Sequence, residues 1–200
     1  LVSCMQVSNE TGAIQPVEEL AKLARRKNPN VRVHVDGVQG FMRVPMHMER
    51  MGVDLYALSG HKIHGPKGIG VLAVRPGVRL IPQITGGGQE KGLRSGTYNS
   101  PAILGLGEAV KTLAADRKAV ERMRAMKAHL WAVLSQEGGI RLNGPKPGET
   151  DSAPHILSLS FDGVRGEVMR NALEGEGVLV STGSACASHK QKVSPTLRAM

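Results

Sequence analysis

Ser59-Gly60-His61-Lys62-Ile63-His64-Gly65-Pro66-Lys67-Gly68 lies between two apolar runs, Asp54-Leu55-Tyr56-Ala57-Leu58 before it and Ile69-Gly70-Val71-Leu72-Ala73-Val74 after it. Each run has the length and content of a buried strand. Three glycines and a proline force the connection to turn sharply. A lysine at the end of a buried strand is unusual, because desolvation disfavours its ammonium form. One chemistry that wants such a lysine is a Schiff base, in which a partly neutral amine attacks an aldehyde. Lys62 is therefore a candidate for carrying a covalently bound cofactor; the alternative is a loop lysine with its charge in water.

Upstream, Val31-Arg32-Val33-His34-Val35 is β-branched at alternate positions and ends in Asp36-Gly37. Pro16 to Arg26 follows helical rules: proline in the first turn, acids early, bases late, and Val17, Leu20, Leu23 and Ala24 on one face. Leu1 to Val7 reads as the end of a strand, and Ser8-Asn9-Glu10-Thr11-Gly12 as a polar loop. A short helix is expected around His47 to Met51. Strand, helix, strand, helix, strand at this spacing predicts right-handed βαβ units and a parallel sheet. Ligands of such sheets sit outside the carboxyl ends of the strands. Three successive strands here end in polar groups: Asn9, then Asp36 with Gln39, then Ser59, His61 and Lys62. They are expected to converge on one crevice.

A carboxylate at a buried strand end is costly unless it meets a cation or takes up a proton. A pyridoxal ring supplies the cation, and an acid that keeps the ring nitrogen protonated lets the ring accept electrons. A turn cap for Gly37-Val38 is the plainer use of Asp36. Ser59 and His61 flank Lys62 with short donors suited to phosphate oxygens, and the Gln39 amide is suited to a ring phenolic oxygen. His61 and His64 lack a third ligand at suitable spacing, so no metal site is expected.

Downstream, Gly86 to Thr97 is glycine-rich but is neither a dinucleotide fingerprint nor a P-loop. Pro101 to Gln136 is helical almost throughout, with a break expected near Ala114 to Lys118. The domain boundary is placed there, giving segments 1–115 and 116–200. The second segment reads as α+β: strands at Ile140 to Leu142, His155 to Phe161 and Val178 to Val180, and a helix at Arg165 to Glu174. Cys186 lies among small polar residues, with His189, Lys190 and Lys192 able to stabilise a thiolate, whereas Cys4 has the apolar neighbours of a structural cysteine.

Composition bounds the rest. Apolar residues make up 40% and charged residues 22%, ordinary for a globular protein, and no run is long enough to cross a bilayer. The two cysteines have no zinc or disulfide spacing and fit a reducing compartment such as the cytoplasm. The net charge is +9, with basic clusters at Lys22/Arg25/Arg26/Lys27, from Arg117 to Lys127, and at Lys190/Lys192. These read as solvated helix faces or as a surface for an acidic partner or RNA. No aromatic residue lies among them, which argues against a stacking platform for single strands. The chain begins without methionine and stops inside a helix opened by Ser194-Pro195, so both ends are expected to be cut.

Together, Ser8 to Gly12, His34 to Gln39, Ser59 to Gly70, Gly86 to Thr97 and Ser181 to Cys186 resemble the cysteine desulfurases, in the class V aminotransferase-like branch of fold-type I pyridoxal-phosphate enzymes. The resemblance implies an α/β fold: part of a large domain with a mainly parallel sheet and helices on both faces, over 1–115, then part of a smaller α+β domain over 116–200. It implies pyridoxal 5′-phosphate on Lys62, Asp36 at the ring nitrogen, Asn9 and Gln39 against the cofactor, and Ser59 and His61 at the phosphate. The threonine matching Thr97 reaches the phosphate of the other subunit, implying a homodimer. Cys186 matches the persulfide-forming nucleophile of the long, mobile catalytic loop. Implied partners are L-cysteine and an iron–sulfur scaffold or a sulfur carrier, the latter serving tRNA or cofactor thiolation, with no membrane. The implied location is cytoplasmic, or the mitochondrial matrix in a eukaryote. The family's ring-stacking histidine and glycine- and threonine-containing phosphate loop would lie before Leu1, and its substrate-carboxylate arginine after Met200. The 200 residues alone are thus expected to bind cofactor poorly and not to turn over. Rival readings are a selenocysteine lyase, a class V aminotransferase, and a non-catalytic sulfur-trafficking or RNA-binding module.

Overall fold

The structure, a computed structural model, describes residues 1–183 and 194–200. It divides into two compact units, Leu1–Gln6 with Pro16–Arg117, and Val7–Gln15 with Lys118–Met200. The division at 115/116 does not anticipate that Val7–Gln15 groups with the second unit. That segment is drawn there by backbone pairing: Ala13 bridges Ser152, Ile14 N donates to Asp151 O at 2.7 Å, and Ala153 N donates to Gly12 O at 2.9 Å. No described helix is long and apolar enough to cross a membrane.

In the first unit, β1 (Val2–Met5), β2 (Val33–Asp36), β3 (Leu55–Ser59) and β4 (Gly70–Val74) form one sheet in that order. β1, β2 and β3 are parallel, as the alternation of strands and connections predicts, but β4 runs antiparallel to β3. The reason is chain length. Ten residues separate β3 from β4, and a parallel return needs a crossover of a dozen or more. The helix α1 (Val17–Lys27) lays Val17 and Ala21 on one face of the sheet, against Val33, Val35, Val53 and Tyr56. The short helix expected at His47 to Met51 is only a turn, closed by Met51 N donating to His47 O at 2.9 Å. Pro45 and Gly52 leave no room for a second turn. The helix α2 (Ser100–Ala115) is capped by the Asn99 side chain, which accepts from Ala102 N at 3.2 Å.

One charged group sits within this core. Asp54, fully buried, accepts from Arg25 Nη2 at 2.7 Å, from Arg75 Nη2 at 2.5 Å and from Val33 N at 2.8 Å. Its carboxylate thereby joins α1, β2 and the exit of β4 to the entry of β3.

The second unit contains α3 (Ala119–Leu134), an antiparallel pair β5 (Ile140–Leu142) and β6 (Leu159–Phe161), α4 (Gly166–Gly175) and the single turn α5 (Pro195–Arg198). The long helical pattern is interrupted between Ala115 and Ala119, where the break is expected. The strand expected at Val178 to Val180 does not form; those residues are irregular and exposed, with no partner strand to pair with among the described residues. Lys127 of α3 is buried and donates to Ser152 Oγ at 2.7 Å and Ala153 O at 2.8 Å, and burial lowers its pKa from the ordinary lysine value.

Candidate active site

Pairing register decides which side chains share a face. In β2, Val33 and Val35 are buried toward α1, so Asp36 points to the other side of the sheet. In β3, Tyr56 and Leu58 pack on the α1 side, which puts Ala57 and Ser59 opposite. Asp36 pairs with Ala57, so Asp36 and Ser59 lie on one face at the carboxyl edge of neighbouring parallel strands, which run about 4.8 Å apart. The chain then enters a 3-10 turn at Gly60–Ile63 that carries His61 and Lys62 over that same edge.

The turn is held from several sides. Gly60 N donates to Ile69 O and Gly65 N to Gly60 O, both at 2.9 Å. A Cβ on Gly60 would come within 2.7 Å of Ile69 Cγ2, and Ile63 is buried beneath. His64 closes the turn in the left-handed region, at φ 64°. Ser59 Oγ and His61 Nδ1 are 2.7 Å apart. Lys62 is half-buried; its carbonyl accepts from Arg43 Nη2 at 2.5 Å, and its amine makes no hydrogen bond or ion pair among the described residues.

Asp36 performs the capping role that the sequence left open, since its Oδ1 accepts from Val38 N at 2.9 Å. Its second oxygen has no hydrogen-bond partner among the described residues. The turn after it, which carries half-buried Gln39, is fastened to β3 by Gly37 N donating to Ala57 O at 2.8 Å. Gly37 tolerates no side chain, because a Cβ would lie 1.9 Å from the Tyr56 ring. Tyr56 donates to Gln6 Oε1 at 2.7 Å, and Gln6 Nε2 donates onward to the carbonyls of Val44 and Pro45 at 3.4 and 3.1 Å. Burial first, and the Asp36 charge second, push the Tyr56 pKa well above the ordinary phenol value, so it remains a neutral donor.

The structure thus gathers Asp36, Ser59, His61 and Lys62, with Gln39 on the adjoining turn, at one sheet edge of the first unit. Thr97 is exposed in the loop before α2. That loop is braced by Ser95 Oγ accepting from Gly88 N at 3.3 Å and by Gln89 Oε1 accepting from Gly96 N at 3.0 Å. Asn9 is half-buried in the polar loop of the second unit. Cys186, with His189, Lys190 and Lys192, lies outside the described residues. Arg43, Tyr56, Gln6 and Asp54 are the contributors that sequence reading misses. Gln6 and Asp54 leave a faint signal, each a polar residue in or beside an apolar run.

The aminotransferase class-V family model matches residues 1–199. The NifS/IcsS protein homolog of Lactobacillus delbrueckii subsp. bulgaricus is 42% identical over 202 residues, covering 100% of this chain and 52% of that protein. The cysteine desulfurase IscS of Rickettsia bellii is 44% identical over 206 residues, covering 100% of this chain and 48% of the relative. A solved NifS-like protein superimposes with a TM-score of 0.84 at 41% identity, over 90% of this chain and 49% of that one. The chain spans about half the length of the curated relatives it matches. With a family model running from its first residue to its last but one, and cysteine desulfurases alongside it over its full length, the chain belongs to the aminotransferase class-V family.

Proposed function

We propose that this chain is part of a pyridoxal-phosphate-dependent cysteine desulfurase, which converts L-cysteine to L-alanine and retains the sulfur as a persulfide. The observation that supports the reading most is the parallel pairing of β2 with β3, whose carboxyl ends lead to Asp36 and to the Lys62 turn; among the described residues one oxygen of that acid and the amine of that lysine make no hydrogen bond. These residues fit the group. Lys62 Nζ is the attachment point for its aldehyde. Asp36, with Oδ1 committed to Val38, has Oδ2 to hold a proton on the ring nitrogen. Ser59 and His61, hydrogen-bonded to each other, leave donors for the phosphate, and Gln39 is the amide for the ring oxygen. Pyridoxal phosphate, when bound, supplies an electron sink for charge developing at the substrate's Cα.

The sulfur step belongs to Cys186. Its thiolate attacks the substrate's Sγ, forming an S–S bond while the Cβ–Sγ bond breaks. Protons complete alanine, and the second sulfur stays on the enzyme as a persulfide. Asn9 contacts the cofactor, and Thr97 reaches the site of a second copy, making the enzyme a homodimer. The first unit corresponds to the large domain of fold-type I enzymes and the second to the small domain. The sulfur goes to an iron–sulfur scaffold or to a carrier for tRNA or cofactor thiolation, in the cytoplasm or a mitochondrial matrix. The full-length protein given L-cysteine should release alanine and show a mass increase of one sulfur on the Cys186 peptide. Lys62→Ala should abolish both, and Cys186→Ser the persulfide. Alanine release that survives Lys62→Ala would overturn the assignment.

A further inference from the structure

Arg43 reaches from the turn after β2 to the exit of β3, where its Nη2 donates to the carbonyl of Lys62 at 2.5 Å. No backbone amide among the described residues donates to that carbonyl outside the 3-10 turn itself, so Arg43 is its partner. The guanidinium is an expensive choice for packing alone. It is half-buried, its Nη1 is buried without a hydrogen-bond partner among the described residues, and desolvation pulls its pKa below the ordinary arginine value. Leucine or methionine would fill the space with no charge to desolvate. The backbone that aims it is also constrained. Met42 sits in the left-handed region at φ 63°, which a residue with a Cβ rarely adopts. Arg43 N and Val44 N both donate to Gly40 O, at 2.9 and 2.8 Å. Gly40 in turn is pressed against Gln6, whose Oε1 would lie 2.0 Å from a Cβ there. This same turn begins at Asp36. Strain and an incompletely satisfied charge are thus concentrated on one bond that joins the acid's turn to the lysine's turn.

We infer that Arg43 is a positioning residue for Lys62: its guanidinium clamps the lysine's main chain to the turn that follows Asp36, so that amine and acid keep a set separation. This rests on Lys62 being the cofactor lysine. Two measurements on the full-length, cofactor-stripped protein test it. One is the rate at which added pyridoxal phosphate becomes fixable on Lys62 by borohydride, read by peptide mass spectrometry. The other is hydrogen exchange of the Gly65 amide, which reports the turn without any cofactor. Arg43→Leu should slow fixation and speed Gly65 exchange, each by about tenfold, with little change in global melting temperature. Arg43→Lys, which keeps a cationic donor for the same carbonyl, should recover most of both. If Arg43→Leu does not fold, Arg43→Gln, whose shorter amide falls short of the carbonyl, is read the same way. Wild-type fixation and exchange in the Leu or Gln variant would overturn the inference. So would a lysine variant as defective as the leucine one, since that outcome assigns Arg43 to packing. Wild-type protein that fixes the cofactor on another lysine would sink the functional reading, while the Gly65 comparison still decides the clamp.

Discussion

Tyr56 shows how a single hydroxyl can serve both the core and the turn beside the candidate site. Its ring fills the space that Gly37 leaves, and its O–H ends on a buried amide, Gln6. Tyr56→Phe should cost about 1–2 kcal/mol in urea denaturation at neutral pH, chiefly because Gln6 Oε1 loses its donor. The pH dependence has a definite sign. The folded-state pKa is raised, so the tyrosine's contribution is complete below about pH 10, where the unfolded phenol also keeps its proton. Above that value the unfolded chain loses the proton first, and stability falls. Stability of Tyr56→Phe should therefore decline less steeply above about pH 10 than that of the parent, which paired denaturation curves will read. Met42 offers a prediction of the opposite sense. Its left-handed backbone, at φ 63°, is one that glycine adopts without a Cβ penalty, so Met42→Gly should stabilise by about 0.5–1 kcal/mol in the same assay. A loss of stability there would mean that the side chain's packing outweighs the strain.

At the scale of elements, the sheet depends on a carboxylate that no local pattern reveals. Asp54 opens β3 and holds two arginines and a backbone amide from other elements. Asp54→Ala should cost about 3–5 kcal/mol, since it leaves two partly buried guanidinium groups uncompensated. Thermal or chemical denaturation of the variant checks this, and a cost below 1 kcal/mol would show that the arginines find water instead. What the sequence discloses and what it hides follow one division. Alternating β-branched residues mark β2, the small-residue connection marks the Lys62 turn, and polar residues at strand ends mark the candidate site, because each is a local pattern. The direction of β4 is absent from such patterns, since alternation is the same read either way, and only the ten-residue connection decides it. The apparent helix at 47–51 fails because periodicity over five residues does not outweigh Pro45 and Gly52. Arg43 is hidden for another reason. Nothing in Phe41-Met42-Arg43-Val44 distinguishes a clamp from a surface cation until the turn is folded.

For the molecule as a whole, the polar loop Val7–Gln15 belongs with a unit whose other residues begin more than a hundred positions later, an association that composition cannot signal. Glu10 in that loop accepts from Ser194 Oγ and from Thr196 Oγ1, the latter at 3.1 Å, so both ends of the second unit's chain are tied through one carboxylate. Glu10→Ala should loosen α5, raising amide exchange at Leu197 and Arg198 while leaving α3 protected. Under the proposed function, the strand-end amine at the sheet edge of the first unit takes an aromatic aldehyde whose ring nitrogen faces the neighbouring strand's acid. Borohydride reduction of the full-length protein with pyridoxal phosphate, followed by peptide mapping, tests it most directly. A stable adduct should form on Lys62 and be lost in Lys62→Arg; an adduct on a different lysine, or none, would show that this amine is not the attachment point.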